Sequence, residues 1–201
     1  MRRFTDKRLL VATHNTGKLE EMRALFAPHG ITLVGAAEFD LPEPEETEET
    51  FIGNARIKAH AAMRATGLPA LADDSGLGIE ALGGAPGVHT ADWAQTPQGR
   101  DFMQAMTRVH DELAASGAPA PHRATFHATF LLVWPDGHEE IFEGKAHGTI
   151  TWPPRGQHGH GYDPIFIPEG ETRAYAEMSG EQKNRLSHRA DAFRQLEALF
   201  A

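Results

Sequence analysis

The sequence of 201 residues contains no cysteine. This absence excludes disulfides, thiolate nucleophiles and thiolate metal sites, so a metal would need carboxylate, imidazole or water ligands. Long apolar runs are missing too, since no segment approaches the roughly 18 apolar residues of a membrane span. The basic start is followed by only a short apolar stretch at residues 9–12, which is too short for a signal peptide. We therefore expect a cytoplasmic protein with no membrane partner.

Positive charge is also scarce, because 19 Lys and Arg stand against 28 Asp and Glu, a net charge of −9. Such a surface repels the nucleic-acid backbone, so we expect no nucleic-acid partner. A small phosphate ligand stays compatible with this charge, since it needs only local lysines, backbone N–H groups and a divalent ion. The 12 histidines leave open a histidine-rich metal-binding protein, although most should lie at the surface.

Hydrophobic periodicity predicts an α/β fold with a mixed sheet, because strand–helix–strand units coexist with a hairpin. The length fits one domain over residues 1–201, or one domain in two lobes. The predicted strands are residues 8–12, 31–34, 77–82, 123–134, 139–146 and 165–167. The predicted helices are residues 18–26, 50–66, about 102–113, and a last helix after Ser179 whose core face is Leu186, Ala190, Phe193, Leu196 and Leu199.

The first chemical motif, residues 13–18, follows a buried strand and opens a helix. Unpaired N–H groups at a helix N-terminus favour an anion, and Lys18 adds a mobile positive charge. The motif is therefore a candidate phosphate loop, although it is not a Walker A sequence. An ordinary turn with a surface lysine is the competing interpretation. The loop consists of Thr13, His14, Asn15, Thr16, Gly17 and Lys18.

Two adjacent acids, Asp73 and Asp74, are expected at the end of an apolar strand, just before Ser75 and Gly76. Burying two carboxylates is costly, and a bound Mg²⁺ would offset that cost. One of them could also activate a water as general base. The alternative is a solvent-exposed Asx turn. The acidic loop, residues 38–49, carries seven carboxylates, and from its residues alone it is interpreted as solvated.

Two further motifs lie in the last quarter of the chain. Aromatic groups between glycines at residues 159–164 can stack on a flat base, while a turn with a packed tyrosine is the alternative. Residues 183–189 offer donors for phosphate or for a base carbonyl, with Lys183 and Ser187 four residues apart on one predicted helix face. A solvated basic helix face is the alternative there.

Together the motifs form one ordered pattern that resembles the inosine triphosphate pyrophosphatase family, also called dITP/XTP diphosphatases. The resemblance covers nearly the whole chain, from residue 8 to about 200. The matching segments are T-x-N-x-G-K at 13–18, E-E-T-x-x-T-F-x-x-N-A-x-x-K at 45–58, A-D-D-S-G-L-x-x-x-x-L-G-G-A-P-G at 72–87, G-x-G-Y-D-P-I-F at 159–166 and E-x-K-N-x-x-S-H-R at 181–189.

The resemblance implies two α/β lobes around a long mixed sheet, an active site in the cleft between them, and a homodimer. It implies Asp74 as catalytic base and metal-linked carboxylate, with Glu46 as second metal contact, Asp73 close by, and Mg²⁺ or alternatively Mn²⁺ as cofactor. Glu46 is thereby expected to turn out of solvent. The implied substrate contacts are residues 13–18, Lys58, Ser75, His160, Gly161, Tyr162, Asp163, Lys183, His188 and Arg189.

The implied activity is hydrolysis of ITP, dITP and XTP to the monophosphate and pyrophosphate. A related pyrophosphatase for dTTP, UTP or modified nucleotides is the alternative within enzymes, and a nucleotide sensor without turnover is the alternative outside them. Two residues depart from the family pattern. His14 stands where glycine or serine is common, and His160 stands where a larger aromatic is common, so base stacking there would be weaker and open to protonation.

Overall fold

The computed structural model describes residues 1–200 and has an α/β fold, as predicted. Its main sheet has six strands in the order β2-β1-β3-β6-β7-β8, and a two-stranded sheet is formed by β4 and β5. The strands are β1 Arg8–Val11, β2 Thr32–Gly35, β3 Ala70–Ile79, β4 Gln95–Thr96, β5 Gly99–Arg100, β6 Arg123–Val133, β7 Glu139–Ile150 and β8 Phe166–Pro168. The helices are α1 Thr16–Phe26, α2 Phe51–Thr66, α3 Phe102–Ser116, α4 Gly180–Leu186 and α5 His188–Leu196.

The chain divides into two compact units. The first unit comprises Met1–Asp74, Ala128–Gly144 and the chain from Arg189 onward, and the second comprises Ser75–His127 and Lys145–His188. Strands β3, β6 and β7 each contribute residues to both units. Within residues 1–200, no helix has both the length and the apolar character needed to cross a membrane.

The first unit has three layers, with helices on both faces of the strands. β1 pairs in parallel with β2 and with β3, with Val11 opposite Leu71. On one face Leu71 packs in a cluster with side chains of α1 and α5 such as Phe26 and Phe193. On the other face Ala72 packs with alanines of α2 such as Ala59. Leu71 and Ala72, which are successive residues of β3, therefore face different helices, as strand geometry requires.

The second unit is built around an aromatic core. Phe126, Phe166 and Tyr175 contact one another in a cluster that also includes Tyr162 and residues of α3 such as Val109. β7 and β8 are antiparallel, with Thr149 opposite Ile167.

The hairpin between β6 and β7, predicted from Pro135-Asp136-Gly137, is confirmed by the adjacency of these strands in the sheet.

Two predicted elements have different bounds in the structure. β3 is one strand that passes through Asp73 and Asp74 and ends at Ile79, so the acids are not at a strand end and residues 80–82 form a 3₁₀ turn. The prediction of a single last helix is also wrong, because Ser187 is extended (φ −81°, ψ 156°) and separates α4 from α5. Lys183 and Ser187 therefore share no helix face, and Leu186 is 41% exposed rather than in the core. The other predicted core residues of this segment are buried.

Candidate active site

The loop at residues 13–18 is ordered by its own side chains. Thr13 Oγ1 accepts a hydrogen bond from the Asn15 N–H (3.1 Å), and Asn15 Oδ1 accepts one from the Lys18 N–H (3.0 Å). Asn15 is thus the N-cap of α1, which begins at Thr16. The loop lies at a helix N-terminus directly after a buried strand, the arrangement that favours an anion.

The His14 side chain turns toward the acidic loop. Its Nε2 donates to the carbonyl oxygen of Leu41 at 2.7 Å, close to the start of that loop's irregular part. In this structure the ring is used to tether the neighbouring chain segment.

Asp73 and Asp74 are adjacent in β3 but bind different partners. Asp73 Oδ2 accepts from Arg189 Nε at 2.7 Å and lies 3.5 Å from Lys18 Nζ. Asp74 Oδ1 accepts from Lys58 Nζ at 2.9 Å. The alternation of the strand places the two carboxylates on opposite faces, toward α1 and α5 for Asp73 and toward α2 for Asp74. The two acids therefore have different nearest partners, although Lys18 and Lys58 act on both.

The Lys58 ammonium connects Asp74 with the acidic loop. Lys58 Nζ lies 2.8 Å from Glu46 Oε1, and it donates to the backbone carbonyl of Asp73 at 3.1 Å as well as to Asp74. The side chain of Lys58 is only 9% exposed. Glu46 therefore pairs with the lysine that also binds Asp74, a contact that the loop's charge alone did not predict, and the side chain of Glu46 is still 34% exposed.

The two aspartates differ in proton affinity. Burial opposes ionisation of Asp73, but Arg189 and then Lys18 outweigh it and hold the pKa of this carboxyl well below its usual range. For Asp74 burial is dominant and raises the pKa, with Lys58 and Lys18 opposing it only in part. Asp73 is thus a fixed anion, whereas Asp74 is the more basic carboxylate and the better proton acceptor.

The two lysines also differ. Burial lowers the pKa of Lys18, with Asp73 opposing the shift. Burial acts in the same direction on Lys58, but Asp74 and Glu46 outweigh it and raise the pKa of that ammonium. Both amines lie next to carboxylates, and Lys58 is firmly held as a cation between two of them.

Arg189 is more deeply embedded than its position in a basic motif suggested. In addition to its hydrogen bond to Asp73, Arg189 donates through Nη1 to Glu21 Oε2 at 2.7 Å. The side chain of Arg189 is 3% exposed. Glu21 was not singled out in the sequence. Its spacing of three residues from Lys18 places both on one face of α1, and this spacing is the signal that could have found it.

In the second unit, Asp163 organises the loop at residues 159–163. Its Oδ2 accepts from the His160 N–H at 2.9 Å and from Lys183 Nζ at 2.6 Å. A Cβ on Gly159 would lie 2.1 Å from that same oxygen, so only glycine fits there. The structure thus brings together His160, Gly161, Asp163 and Lys183, four of the predicted substrate contacts.

Other predicted contacts have packing roles. Tyr162 is 1% exposed, donates through its hydroxyl to the Thr90 carbonyl at 2.7 Å, and meets Phe102 edge-on, so its ring is a core element. The ring of His188 is buried and stacks on Phe126 at 4.9 Å and 13°. Ser75 is half-buried in β3, directly after Asp74.

Comparisons with known proteins show the family of this chain. The model of the Ham1 family matches residues 9–199. A dITP/XTP pyrophosphatase of Ruegeria pomeroyi is 63% identical over 191 residues, which cover 95% of this chain and 94% of that protein. One of Rhodospirillum centenum is 56% identical over 195 residues, covering 97% and 95%. The solved HAM1 protein from Coxiella burnetii is 38% identical with a TM-score of 0.86, covering 96% of this chain and 98% of the other.

Proposed function

The chain belongs to the Ham1 family, and we propose that it hydrolyses dITP, ITP and XTP to the monophosphate and pyrophosphate. It is a nucleoside triphosphate pyrophosphatase that acts on non-standard purine nucleotides, as the relatives named dITP/XTP pyrophosphatase support. The observation that carries the residue assignment is Asp74. It is a buried carboxylate with a raised pKa, held by Lys58, which in turn holds Glu46.

A divalent metal, Mg²⁺ or alternatively Mn²⁺, is part of the proposal. Within residues 1–200, Oδ1 of Asp73 and Oδ2 of Asp74 are buried and have no hydrogen-bond partner. Buried carboxylate oxygens without partners are costly, and oxygen-rich clusters are what Mg²⁺ prefers. We therefore assign such a cation to Asp74, through Oδ2, with Glu46 as its second contact. When bound, Mg²⁺ would neutralise charge on the phosphate oxygens.

The chain's own groups account for the remaining chemistry. A water oxygen attacks the α-phosphorus, its proton passes to Asp74, and the bond from the α-phosphorus to the bridging oxygen breaks, releasing pyrophosphate. Lys58 keeps Asp74 oriented and lowers the cost of its charge. Lys18 and the N–H groups of the loop at residues 13–18 stabilise negative charge on the triphosphate. Positioning and electrostatics thus supply most of the rate acceleration.

Base selectivity is assigned to donors that face a carbonyl at carbon 6. Hypoxanthine and xanthine carry this acceptor, whereas adenine carries an amino donor. Lys183 is a buried ammonium oriented by Asp163 and is the donor we favour. Nε and Nη1 of Arg189 are already engaged by Asp73 and Glu21. A donor facing a donor costs about 1–3 kcal/mol, which disfavours adenine. His160 is the group we assign to stacking on the base.

The proposed oligomeric state and cellular location follow from the resemblance. A homodimer and a cytoplasmic location are part of the proposal, and the net charge of −9 supports a small nucleotide rather than a nucleic acid as the partner. Size-exclusion chromatography with light scattering tests the dimer directly. A monomeric mass at working concentration would remove it.

The test of the reaction is a substrate panel. The purified protein is incubated with Mg²⁺ and, separately, ITP, XTP, GTP, ATP and dTTP, with and without a coupled inorganic pyrophosphatase. Pyrophosphate from ITP and XTP, with little from ATP and GTP, is the expected result. Direct release of orthophosphate would overturn attack at the α-phosphorus. Preference for dTTP would identify the alternative substrate class, and binding without turnover would identify a sensor.

A further inference from the structure

We propose that Asn54 is a positioning residue that clamps the acidic loop and thereby delivers Glu46 to Lys58 and Asp74. The inference rests on the proposed function, because it gives Glu46 a part in metal binding. Asn54 touches neither substrate nor reacting atoms in this assignment. It acts through Glu46, which lies at the far end of a short chain of contacts in the first unit.

The clamp consists of two hydrogen bonds from one side-chain amide to one backbone residue. Oδ1 of Asn54 accepts from the Glu48 N–H at 2.9 Å, and Nδ2 of Asn54 donates to the Glu48 carbonyl at 3.0 Å. Asn54 is 2% exposed. The amide thus pairs with the acidic loop as a neighbouring peptide would, and two bonds fix both the position and the orientation of Glu48.

Asn54 and Lys58 lie on the same helix. Asn54 and Lys58 are four residues apart on α2, so their side chains share a face of the helix. Asn54 holds Glu48, and Lys58 holds Glu46 at 2.8 Å. Only two residue steps separate Glu46 from Glu48, a span of at most about 7 Å. The acidic loop is therefore attached to one helix face at two neighbouring points.

Gly53 shows how closely the acidic loop approaches the helix. A Cβ on Gly53 would lie 2.6 Å from Cβ of Glu48 and 3.0 Å from Oγ1 of Thr50. Glycine within a helix costs about 1 kcal/mol relative to alanine. This glycine is explained by the approach of the loop, since any side chain would push Glu48 away.

Asn54 is not needed to cap the helix. Thr50 is the N-cap of α2, and its side chain accepts from the Gly53 N–H at 3.0 Å. A residue with only a structural role would change stability without changing metal dependence. The two effects are separable by experiment.

The first experiment compares Asn54→Ala and Gly53→Ala with the wild type. For each, the Mg²⁺ concentration for half-maximal pyrophosphate release from ITP is measured, and Mn²⁺ alone is titrated by calorimetry. We expect metal affinity to fall roughly ten-fold in both variants, the usual effect of losing a group that orients a metal contact. Gly53→Ala is expected to remain folded, because the helix preference of alanine offsets part of the cost of displacing Glu48, and its Tm is measured alongside. Unchanged metal dependence in Gly53→Ala would overturn the proposal, even if Asn54→Ala failed to fold.

Gly180→Ala is the matched control. Gly180 is the first residue of α4, and a Cβ there would meet nothing within 4 Å. This substitution also adds a methyl group to the first turn of a helix, but it displaces no loop. We expect its Mg²⁺ dependence and its Mn²⁺ binding to match the wild type, and a loss equal to that of Gly53→Ala would overturn the proposal.

A double-mutant cycle shows whether Asn54 acts through Glu46. If it does, Asn54→Ala should add less than about two-fold to the loss already caused by Glu46→Gln. The same full loss in both backgrounds would overturn the positioning role. If Glu46→Gln by itself left rate and metal binding unchanged, the metal assignment within the proposed function would be what failed, and the role of Asn54 would fall with it.

Discussion

The ammonium nitrogen of Lys58 lies 2.9 Å from Oδ1 of Asp74, and each side chain is less than a tenth exposed. Because neither group is well solvated, the charge of each depends on the other. The proton affinity of Asp74 is therefore set inside the protein by burial and, among the neighbouring charges, chiefly by Lys58. This relationship separates the chemical role of Asp74 from the structural role of its neighbour Asp73.

Asp74→Asn should abolish most of the activity while keeping nucleotide binding. Removing a general base costs typically about 10²–10⁴-fold in rate. Pyrophosphate release from ITP gives kcat, and calorimetry with ITP gives binding. Asp6→Asn is the matched control, since Asp6 is an exposed acid of the same unit. A kcat within a few-fold of the wild type would exclude Asp74 as the base.

Lys58→Met should shift the pH dependence of the reaction. Burial raises the pKa of Asp74, and Lys58 is the strongest group opposing that effect. Removing its charge raises the pKa further, so the base becomes deprotonated only at higher pH and the acidic limb of kcat/KM moves upward. Lys58→Arg keeps the charge and should leave the limb nearer to its original position. Identical acidic limbs in Lys58→Met and the wild type would refute this coupling.

Asp73→Asn should mainly affect stability. The folded-state pKa of Asp73 is lowered, so its contribution is present above the ordinary Asp value of about 3.9 and is lost as pH falls toward the folded-state pKa. At neutral pH the substitution leaves Arg189 with one buried partner fewer, a loss of about 3–5 kcal/mol. Urea denaturation at pH 7 measures it. Asp74→Asn should cost less, because burial already disfavours the charge of Asp74 and Lys58 keeps Glu46 as a partner; equal losses in both variants would contradict this division.

Lys183→Met should reduce the preference for ITP over ATP. Loss of a donor to the carbon-6 carbonyl lowers the ITP/ATP ratio of kcat/KM by about ten-fold or more. Arg189→Ala is measured beside it, since Arg189 belongs to the motif at residues 183–189 that offers donors for a base carbonyl. An unchanged ratio in Arg189→Ala would remove Arg189 from this role, and an unchanged ratio in Lys183→Met would remove Lys183.

Much of the fold was predictable because its strands and helices carry clear periodicity. The strand through Asp73 and Asp74 was not fully predictable, since Asp and Gly are depleted in strands and the residues alone suggest a turn. The free-energy cost of burying these two carboxylates is offset by Arg189, Lys18 and Lys58, which come from other parts of the sequence. Tertiary charge pairing overrides local propensity there.

The break at Ser187 was also hidden from the sequence. Neither glycine nor proline marks it, and the spacing of Ala190, Phe193 and Leu196 continues a helical pattern.

The contact made by the acidic loop was difficult to predict for a different reason. A run of carboxylates is usually solvated, and nothing in the sequence signals that Glu46 pairs with Lys58, the buried lysine that also binds Asp74 sixteen residues further on.

The alternation of β3 has a consequence for how this protein can change. Pairing of Leu10 with Ala70 and of Val11 with Leu71 fixes the register of the strand. A deletion or insertion of one residue before Asp73 would send each acid to the opposite face, so that the contact of Asp73 with Arg189 and the contact of Asp74 with Lys58 would both be lost. Asp73, which stabilises the fold, and Asp74, which serves the reaction, are consecutive residues of one strand. Insertions and deletions should therefore be confined to the loops outside β3.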